Sequence, residues 1–187
     1  MKQILLIAAS WFLITLGWTQ TDVPDREFRA AWVATVKGID WPTKQGMTSL
    51  EQQEELLAIL DTLQNKGLNA IIFQVRPASD AFYRSNFEPW SEWLTGQQGK
   101  APAPYYDPLA FAIEACHDRG MELHAWFNPF RALTDWERNK QIHPDHVTMQ
   151  HPEWILTYGK NQYIDPGIPA ARQFVKSVIL ECCLTTS

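Results

Sequence analysis

The sequence lacks the features that mark several large protein classes. It contains no low-complexity tract and no run of like charges, which argues against intrinsic disorder, collagen and coiled coil. Its formal net charge of -5 disfavours nucleic acid or an anionic membrane as the main partner, and a neutral partner is easier to accommodate. No G-x-G-x-x-G or G-K-S/T pattern follows the first predicted strand, so a nucleotide-binding fold is also disfavoured.

Long apolar runs are scarce as well. The stretch Ile4–Trp18 has about 15 residues, fewer than the roughly 20 that a membrane-spanning helix needs. With Lys2 before it and turn residues after it, this stretch is typical of a secretory signal. We interpret residues 1–20 as a signal peptide and expect an exported protein, periplasmic or extracellular, with no stable membrane anchor after signal removal.

Cysteine is rare, with three residues in the chain. A lipid-attached protein would need a cysteine directly after the apolar run, but the first one is Cys116, so we expect no lipid anchor. An odd number allows at most one internal disulfide. Cys116 falls on the apolar face of a predicted helix, which is typical of a buried small hydrophobe. Cys182 and Cys183 are adjacent near the end of the chain, and none of the three is predicted to be catalytic.

Apolar strand patterns alternate with helical patterns along the rest of the chain. Strands are predicted at 29–36, 69–75 and 122–127, and helices begin at Ser49, with a capping box to Gln52, at Asp107-Pro108 and near Pro169. Long segments, 78–106 and 128–168, follow the second and third strands. This order predicts a parallel α/β protein, and the missing phosphate loop favours the (β/α)8 barrel over a doubly wound sheet.

The chain is short for a complete barrel. Once residues 1–20 are removed, about 167 residues remain, whereas a (β/α)8 barrel takes about 250. We therefore expect a fold of the (β/α)8 TIM-barrel type with only about the first three β/α units present, an incomplete barrel.

Alternation along the strands predicts which side chains reach the site. Gln74, Arg76, Trp126 and Asn128 lie towards the carboxyl ends of their strands, where barrel enzymes place their active sites. The alternative is that Arg76 and Asn128 bond loop backbone and orient the chain returns. Both interpretations stay open at this point.

Aromatic residues are abundant around that predicted mouth. The chain has 9 tryptophans, and Trp32, Trp126 and Tyr83 fall near it together with Arg131. Aromatic faces stack on sugar rings while arginine, asparagine and aspartate bond hydroxyl groups, so this mixture suits a neutral saccharide. Each tryptophan taken alone is more often a packing residue than a ligand contact.

A histidine cluster raises the question of a metal. His143, His146 and His151 lie near Asp145, but they fall in a polar loop without an H-E-x-x-H pattern. We interpret them as solvated surface histidines, and we predict no metal and no cofactor.

Five segments of the sequence resemble the glycosyl hydrolase-like 10 family. The segments are 29–35 (RAAWVAT) with 40–42 (DWP), 74–83 (QVRPASDAFY), 88–96 (EPWSEWLTG), 106–109 (YDPL) and 124–131 (HAWFNPFR). The resemblance implies a (β/α)8 barrel in exported bacterial enzymes that act on polysaccharide glycosidic bonds, with cell-wall glycan as a candidate. We assign 27–180 to the N-terminal portion of this domain.

The family continues into a fourth strand that ends in an acidic, aromatic motif of the Asp-Asp-Tyr type, which this sequence lacks. We therefore expect a truncated chain and interpret residues 181–187 as an atypical truncated tail. Glycosidic cleavage generally needs two carboxyl groups, and Asp80 and Asp165 are the best candidates, with Asp40 weaker and Glu122 too deep. Two functions remain: a glycoside hydrolase acting on a polysaccharide or glycan strand, or a glycan-binding or inactive fragment.

Overall fold

Three parallel strands form the main sheet of the protein. In a computed structural model the chain is described over residues 27–135 and 141–185, so the predicted signal peptide, 1–20, lies outside the described residues. The strands are β1 (Ala30–Val33), β2 (Ala70–Arg76) and β3 (Glu122–Phe127), in the order β1-β2-β3. Both pairs are parallel, which confirms the predicted α/β layout.

Helices connect the strands and cover one face of the sheet. Helix α1 (Ser49–Asn65) joins β1 to β2, and α3 (Pro108–His117) joins β2 to β3 after the short helix α2 (Glu92–Thr95). As predicted, α3 begins after Asp107, whose side chain accepts hydrogen bonds from two backbone N–H groups of the first turn.

The start of α1 differs from the prediction by one residue. Thr48 is the N-cap: its hydroxyl oxygen accepts from the Glu51 backbone N–H at 3.3 Å, and the Glu51 carboxylate accepts from the Thr48 N–H at 2.7 Å. The predicted cap, Ser49, instead donates to the carbonyl of Pro104 at 2.6 Å. Thr48-Glu51 and Ser49-Gln52 both match the S/T-x-x-E/Q pattern, which explains the displacement.

The hydrophobic core lies between the sheet and the helices. Ile71, Phe73 and Val75 of β2 share one buried cluster with Leu56 and Leu60 of α1 and with the α3 residues Leu109, Ala112 and Cys116. Cys116 is fully buried, as predicted. In contrast, β3 is partly exposed, and β2 is its one neighbour among the described strands.

Residues 128–168 contain a second sheet, where the sequence pattern predicted only a long polar segment. Its strands are β4 (Arg131–Thr134), β5 (Ile155–Tyr158) and β6 (Asn161–Ile164), antiparallel in the order β4-β6-β5. The short helix α4 (Val147–Gln150) precedes β5. Four-residue strands give too little alternation to stand out from a polar loop.

Helix α5 (Pro169–Thr185) packs against both the second sheet and the loop after β2. Ala171 and Val175 join the buried cluster of the second sheet. Residues 181–185 of the predicted tail continue this helix: Glu181 accepts from the Ser85 hydroxyl at 2.6 Å and the Asn86 N–H at 2.7 Å, and Cys182 is buried. Within 27–135 and 141–185, no helix combines the length and apolarity that crossing a membrane requires.

Candidate functional site

The two faces of the main sheet have different roles. Ile71, Phe73 and Val75 point to the helices, so Ile72 and Gln74 lie on the opposite face. The register pairs Trp32 and His124 with Ile72, and Trp126 with Gln74. We call these five residues, Trp32, Ile72, Gln74, His124 and Trp126, the inner face. Trp126 and Gln74 lie towards the carboxyl ends of their strands, where the long loops begin.

Two tryptophans form the surface of the inner face. The rings of Trp32 and Trp126 are in edge-to-face contact, with centroids 4.8 Å apart and planes at 84°. Because β1 and β3 flank β2, the rings meet over the inner side of β2. Trp32 is 61% exposed, so an indole face is open to a ligand. Such a surface suits stacking on the apolar face of a sugar ring.

Gln74 presents a buried hydrogen-bond donor next to this pair. Its side-chain carbonyl accepts from the backbone N–H groups of Thr35 and Val36, both at 2.9 Å. These two contacts fix the amide, and among the described residues nothing accepts a hydrogen bond from its Nε2. A buried unsatisfied donor costs about 1–3 kcal/mol. A hydroxyl group or water that accepts from Nε2 recovers that cost, but Gln74 is 0% exposed, so the surrounding side chains must move to admit it.

Arg76 is fully buried and uses all five of its N–H donors within the protein. Its Nε and one terminal nitrogen bind both carboxylate oxygens of Glu88, and the same terminal nitrogen donates to the Ser79 hydroxyl. The other terminal nitrogen donates to the carbonyls of Asn128 and Pro129. No donor remains for a ligand, so this geometry matches the interpretation in which Arg76 orients the loops.

Three other predicted contact residues also hold the loops together. The Asn128 side chain donates to the Pro77 carbonyl at 2.9 Å, and the half-buried Arg131 accepts from the Ser79 hydroxyl through its backbone carbonyl at 3.1 Å. Tyr83 is buried, and its hydroxyl donates to the Val178 carbonyl at 3.5 Å. Burial raises the pKa of this phenol well above its ordinary range.

Asp80 lies in the loop after β2 and is only 2% exposed. Its Oδ1 accepts from the Ala78 N–H at 3.2 Å. Burial raises the pKa of this carboxyl to about 7; a hydrogen bond from Ser91 opposes the shift, and the charges of Glu88 and Glu92 add to it. A carboxyl with this pKa is protonated in about half of the molecules at neutral pH, which is a property of glycosidase general acids.

Asp165 lies at the start of α5 and is half buried. Its Oδ1 accepts from the Gly167 N–H at 2.7 Å, and its backbone carbonyl accepts from the Ile168 N–H at 3.3 Å. The carboxylate therefore stabilises the turn into the helix. No hydrogen bond joins Asp165 to Asp80 in the part of the chain that the structure describes, so the structure does not bring the two predicted carboxyls into contact.

The interpretation of all three histidines as solvated was wrong for His146, which is fully buried. Its Nδ1 accepts from the Thr148 N–H at 3.3 Å, and its Nε2 lies 3.1 Å from the Ala78 carbonyl, to which we assign the ring proton. Burial lowers the pKa of this imidazole to about 4, so it is neutral at pH 7. The ring caps α4 and anchors it to the loop after β2. A polar loop sequence gave no signal of this burial.

The described residues contain no group of three or more His, Cys, Asp or Glu side chains placed to hold a metal ion. His143 and His151 are half buried and contact the neighbouring carboxylates Asp145 and Glu153. These contacts are local pairs two residues apart in the chain.

The three parallel strands, their connecting helices and the long loops at the strand carboxyl ends match the layout of (β/α)8-barrel proteins. Comparison with solved structures supports this fold: an alpha-galactosidase from Lactobacillus brevis has a TM-score of 0.52 at 13% identity, over 87% of this chain and 19% of that chain. At this level of identity the likeness shows the fold alone.

The chain belongs to the glycosyl hydrolase-like 10 family, whose sequence profile matches residues 27–184. It is 46% identical over 170 residues to the glycosyl hydrolase YngK of Bacillus subtilis (strain 168), covering 91% of this chain and 33% of that protein. It is 36% identical over 176 residues to the glycosyl hydrolase DigH of Escherichia coli (strain K12), covering 86% and 40%. These matches confirm the family resemblance of the sequence motifs. The chain spans about a third of the length of YngK and about two fifths of the length of DigH.

Proposed function

We propose that this chain has a glycoside hydrolase-like function and binds a neutral polysaccharide or glycan strand on its inner face. The observation that carries the proposal is the exposed Trp32 ring in contact with Trp126, beside the unsatisfied Nε2 donor of Gln74. Stacking surfaces combined with a fixed donor are the elements of a sugar site. The family and the names of its relatives support the same class of substrate.

The charge distribution favours a neutral ligand over an anionic one. Arg76, at the carboxyl end of β2, is paired with Glu88, and both side chains are at most 1% exposed. His124 on the inner face contacts the carboxylate of Glu122 at 3.1 Å. Neither side chain is therefore free to attract a phosphate or carboxylate, whereas hydroxyl groups need only a hydrogen-bond donor and the aromatic surface.

We assign the acid role in glycosidic cleavage to Asp80, with Asp165 as the second candidate carboxyl. The raised pKa of Asp80 keeps a proton available for the leaving oxygen near neutral pH. For Asp80 to act, the loop that covers its carboxyl must open, because the side chain is 2% exposed. Asp165 keeps its Oδ2 free of hydrogen bonds among the described residues, while Oδ1 holds the helix start.

Export is part of this proposal and is supported by the signal-like pattern of residues 1–20. An exported glycosidase meets polysaccharides outside the cytoplasm. Cell-wall glycan is therefore the substrate that we propose to test first.

A second candidate function is glycan binding without cleavage. Two observations favour it: the Asp80 carboxyl is buried, and one carboxylate oxygen of Asp165 already accepts a hydrogen bond from the Gly167 N–H. Under this alternative the inner face binds the same ligand, but no bond is broken.

The release of reducing ends from denuded peptidoglycan separates the two functions. We expect turnover by the unmodified chain and a loss of about 100-fold or more in Asp80→Asn, the size of a general-acid contribution. Asp61→Asn is the matched control, because Asp61 lies on α1 and its side chain is 57% exposed. Binding without turnover by the unmodified chain would support the second candidate, and equal turnover by Asp80→Asn would remove Asp80 from the catalytic group.

A further inference from the structure

A cavity of about 280 Å³ lies away from the inner face, between the loop after β2, helix α4 and helix α5. None of its lining residues belongs to the main sheet. The lining consists of Asn86, Phe87, Asp145, Val147, Gln150, His151 and Phe174. Its volume is just below the roughly 300 Å³ at which pockets for drug-sized molecules begin, so it suits a ligand of one ring.

Phe87, Phe174 and His151 of the cavity lining belong to a row of aromatic rings in contact, which also contains Trp154 outside the lining. Phe87 meets Phe174 edge to face with centroids 6.3 Å apart, and Phe174 lies 5.9 Å from Trp154. The imidazole of His151 stacks on Trp154 at 3.7 Å with planes 5° apart. Phe87 is 42% exposed, so its ring is accessible from the cavity side. This row fixes the rings before any ligand arrives, which lowers the entropic cost of binding.

The polar groups of the cavity are hydrogen-bond acceptors. Asn86 donates through Nδ2 to Glu181 at 2.8 Å, and Gln150 donates through Nε2 to the Pro144 carbonyl at 2.8 Å. Both side-chain carbonyls are therefore oriented and have no donor among the described residues. The Nδ1 of His151 lies 3.1 Å from the Glu153 carboxylate, so in the neutral ring Nδ1 carries the proton and Nε2 is an acceptor. Asp145 adds a mostly exposed carboxylate.

A set of acceptors beside apolar rings selects a ligand with many donors and an apolar face. Phosphates and carboxylates are excluded, because they would place acceptor against acceptor and meet the negative charge of Asp145. A pyranose ring has both required properties, with hydroxyl donors on its rim and C–H groups on its face. A small cation would bind weakly, because Asp145 is largely exposed and solvent screens the charge of its carboxylate.

We propose that this cavity is a second saccharide site that binds one neutral sugar ring without cleaving it. The site goes beyond the function proposed above, because it involves neither the inner face nor Asp80 and needs no hydrolysis. Phe87 provides the stacking ring, and Asn86, Gln150 and His151 accept from the hydroxyl groups.

The test is an NMR titration of the full chain with methyl β-D-glucoside, a neutral ligand of one ring. We expect saturable shifts of the backbone signals of 86–87 and 145–151 with a millimolar dissociation constant. Phe87→Ala should weaken binding roughly tenfold through lost stacking. Phe28→Ala is the matched control, because Phe28 is also an exposed phenylalanine, at 57%, but lies next to His124 at the other end of the fold.

Two further variants keep the outcomes separate. Gln150→Ala should weaken binding roughly fivefold through one lost acceptor, and Trp32→Ala should leave the shifts at 86–87 and 145–151 unchanged even if it abolishes binding at the inner face. Absence of shifts at these residues would overturn the proposal. So would equal effects of Phe87→Ala and Phe28→Ala, or choline chloride producing the same shifts at lower concentration than the glucoside.

Discussion

Replacing Glu88 by alanine tests the buried ion pair between Glu88 and Arg76. The substitution removes both acceptors that hold Nε and one terminal nitrogen of Arg76, while the guanidinium stays charged and buried. The two side chains are 0% and 1% exposed, so solvent screens the pair very little. Removing one partner of a buried pair costs about 3–5 kcal/mol. Arg76 keeps three neutral acceptors, on Ser79, Asn128 and Pro129. We therefore expect a loss of about 3 kcal/mol in the free energy of unfolding, at the lower end of this range.

Urea unfolding followed by tryptophan fluorescence measures this loss. With a slope of about 2 kcal/mol/M, the expected destabilisation lowers the midpoint by about 1.5 M. Glu27→Ala is the control, because its pair with Arg29 has side chains 71% and 50% exposed and should be worth less than about 1 kcal/mol. A midpoint for Glu88→Ala within the range of the Glu27→Ala control would refute the view that the Arg76 pair holds the two loops together.

Further predictions concern pH and packing. The folded pKa of Asp80, about 7, lies above its ordinary value of 3.8. The contribution of Asp80 to stability is therefore complete below pH 3.8 and is lost as the pH rises to about 7. Asp80→Asn should remove this loss when the free energy of unfolding is compared at pH 5 and pH 8. The lowered pKa of His146, about 4, gives the opposite pH dependence: the free energy of unfolding falls as the pH drops from 6.5 to 4. His146→Gln should reduce this fall when unfolding is measured over the same pH range. Gly99→Ala should lower the melting temperature, because the new Cβ would lie 2.2 Å from His143 Cδ2 at a φ of +82°; an unchanged melting temperature would contradict this packing.

The sequence was sufficient to predict the main sheet and its helices. Strands such as Ala70–Arg76 are continuous apolar runs, and helices such as Pro108–His117 begin with an aspartate cap and a proline, which are local signals. The alternation along β2 also separated the core residue Phe73 from Gln74 on the opposite face. These features depend on neighbouring residues in the chain, so a single sequence reveals them.

Features that depend on long-range contacts were not predictable in the same way. The burial of His146 results from Ala78, 68 residues away, and the role of Arg76 depends on carbonyls about 50 residues away. The second sheet depends on the pairing of β4 with β6, in which Arg131 lies opposite Tyr163, 32 residues away in the chain. For the candidate site, alternation predicted that Gln74 and Trp126 share one face, which agrees with their pairing in the sheet, but it did not reveal that the Gln74 amide is fixed by Thr35 and Val36.

The central claim is that the inner face binds a neutral saccharide through Trp126 and Gln74. The most direct measurement is a calorimetric titration of chitohexaose, a neutral hexasaccharide, into the Phe87→Ala variant, with and without Trp126→Ala. Working in the Phe87→Ala variant weakens the second site roughly tenfold, so that binding at the inner face dominates the signal. We expect binding to Phe87→Ala and a loss of roughly tenfold or more when Trp126 is also replaced. Equal affinity of the two proteins, or no binding to either one, would contradict the claim.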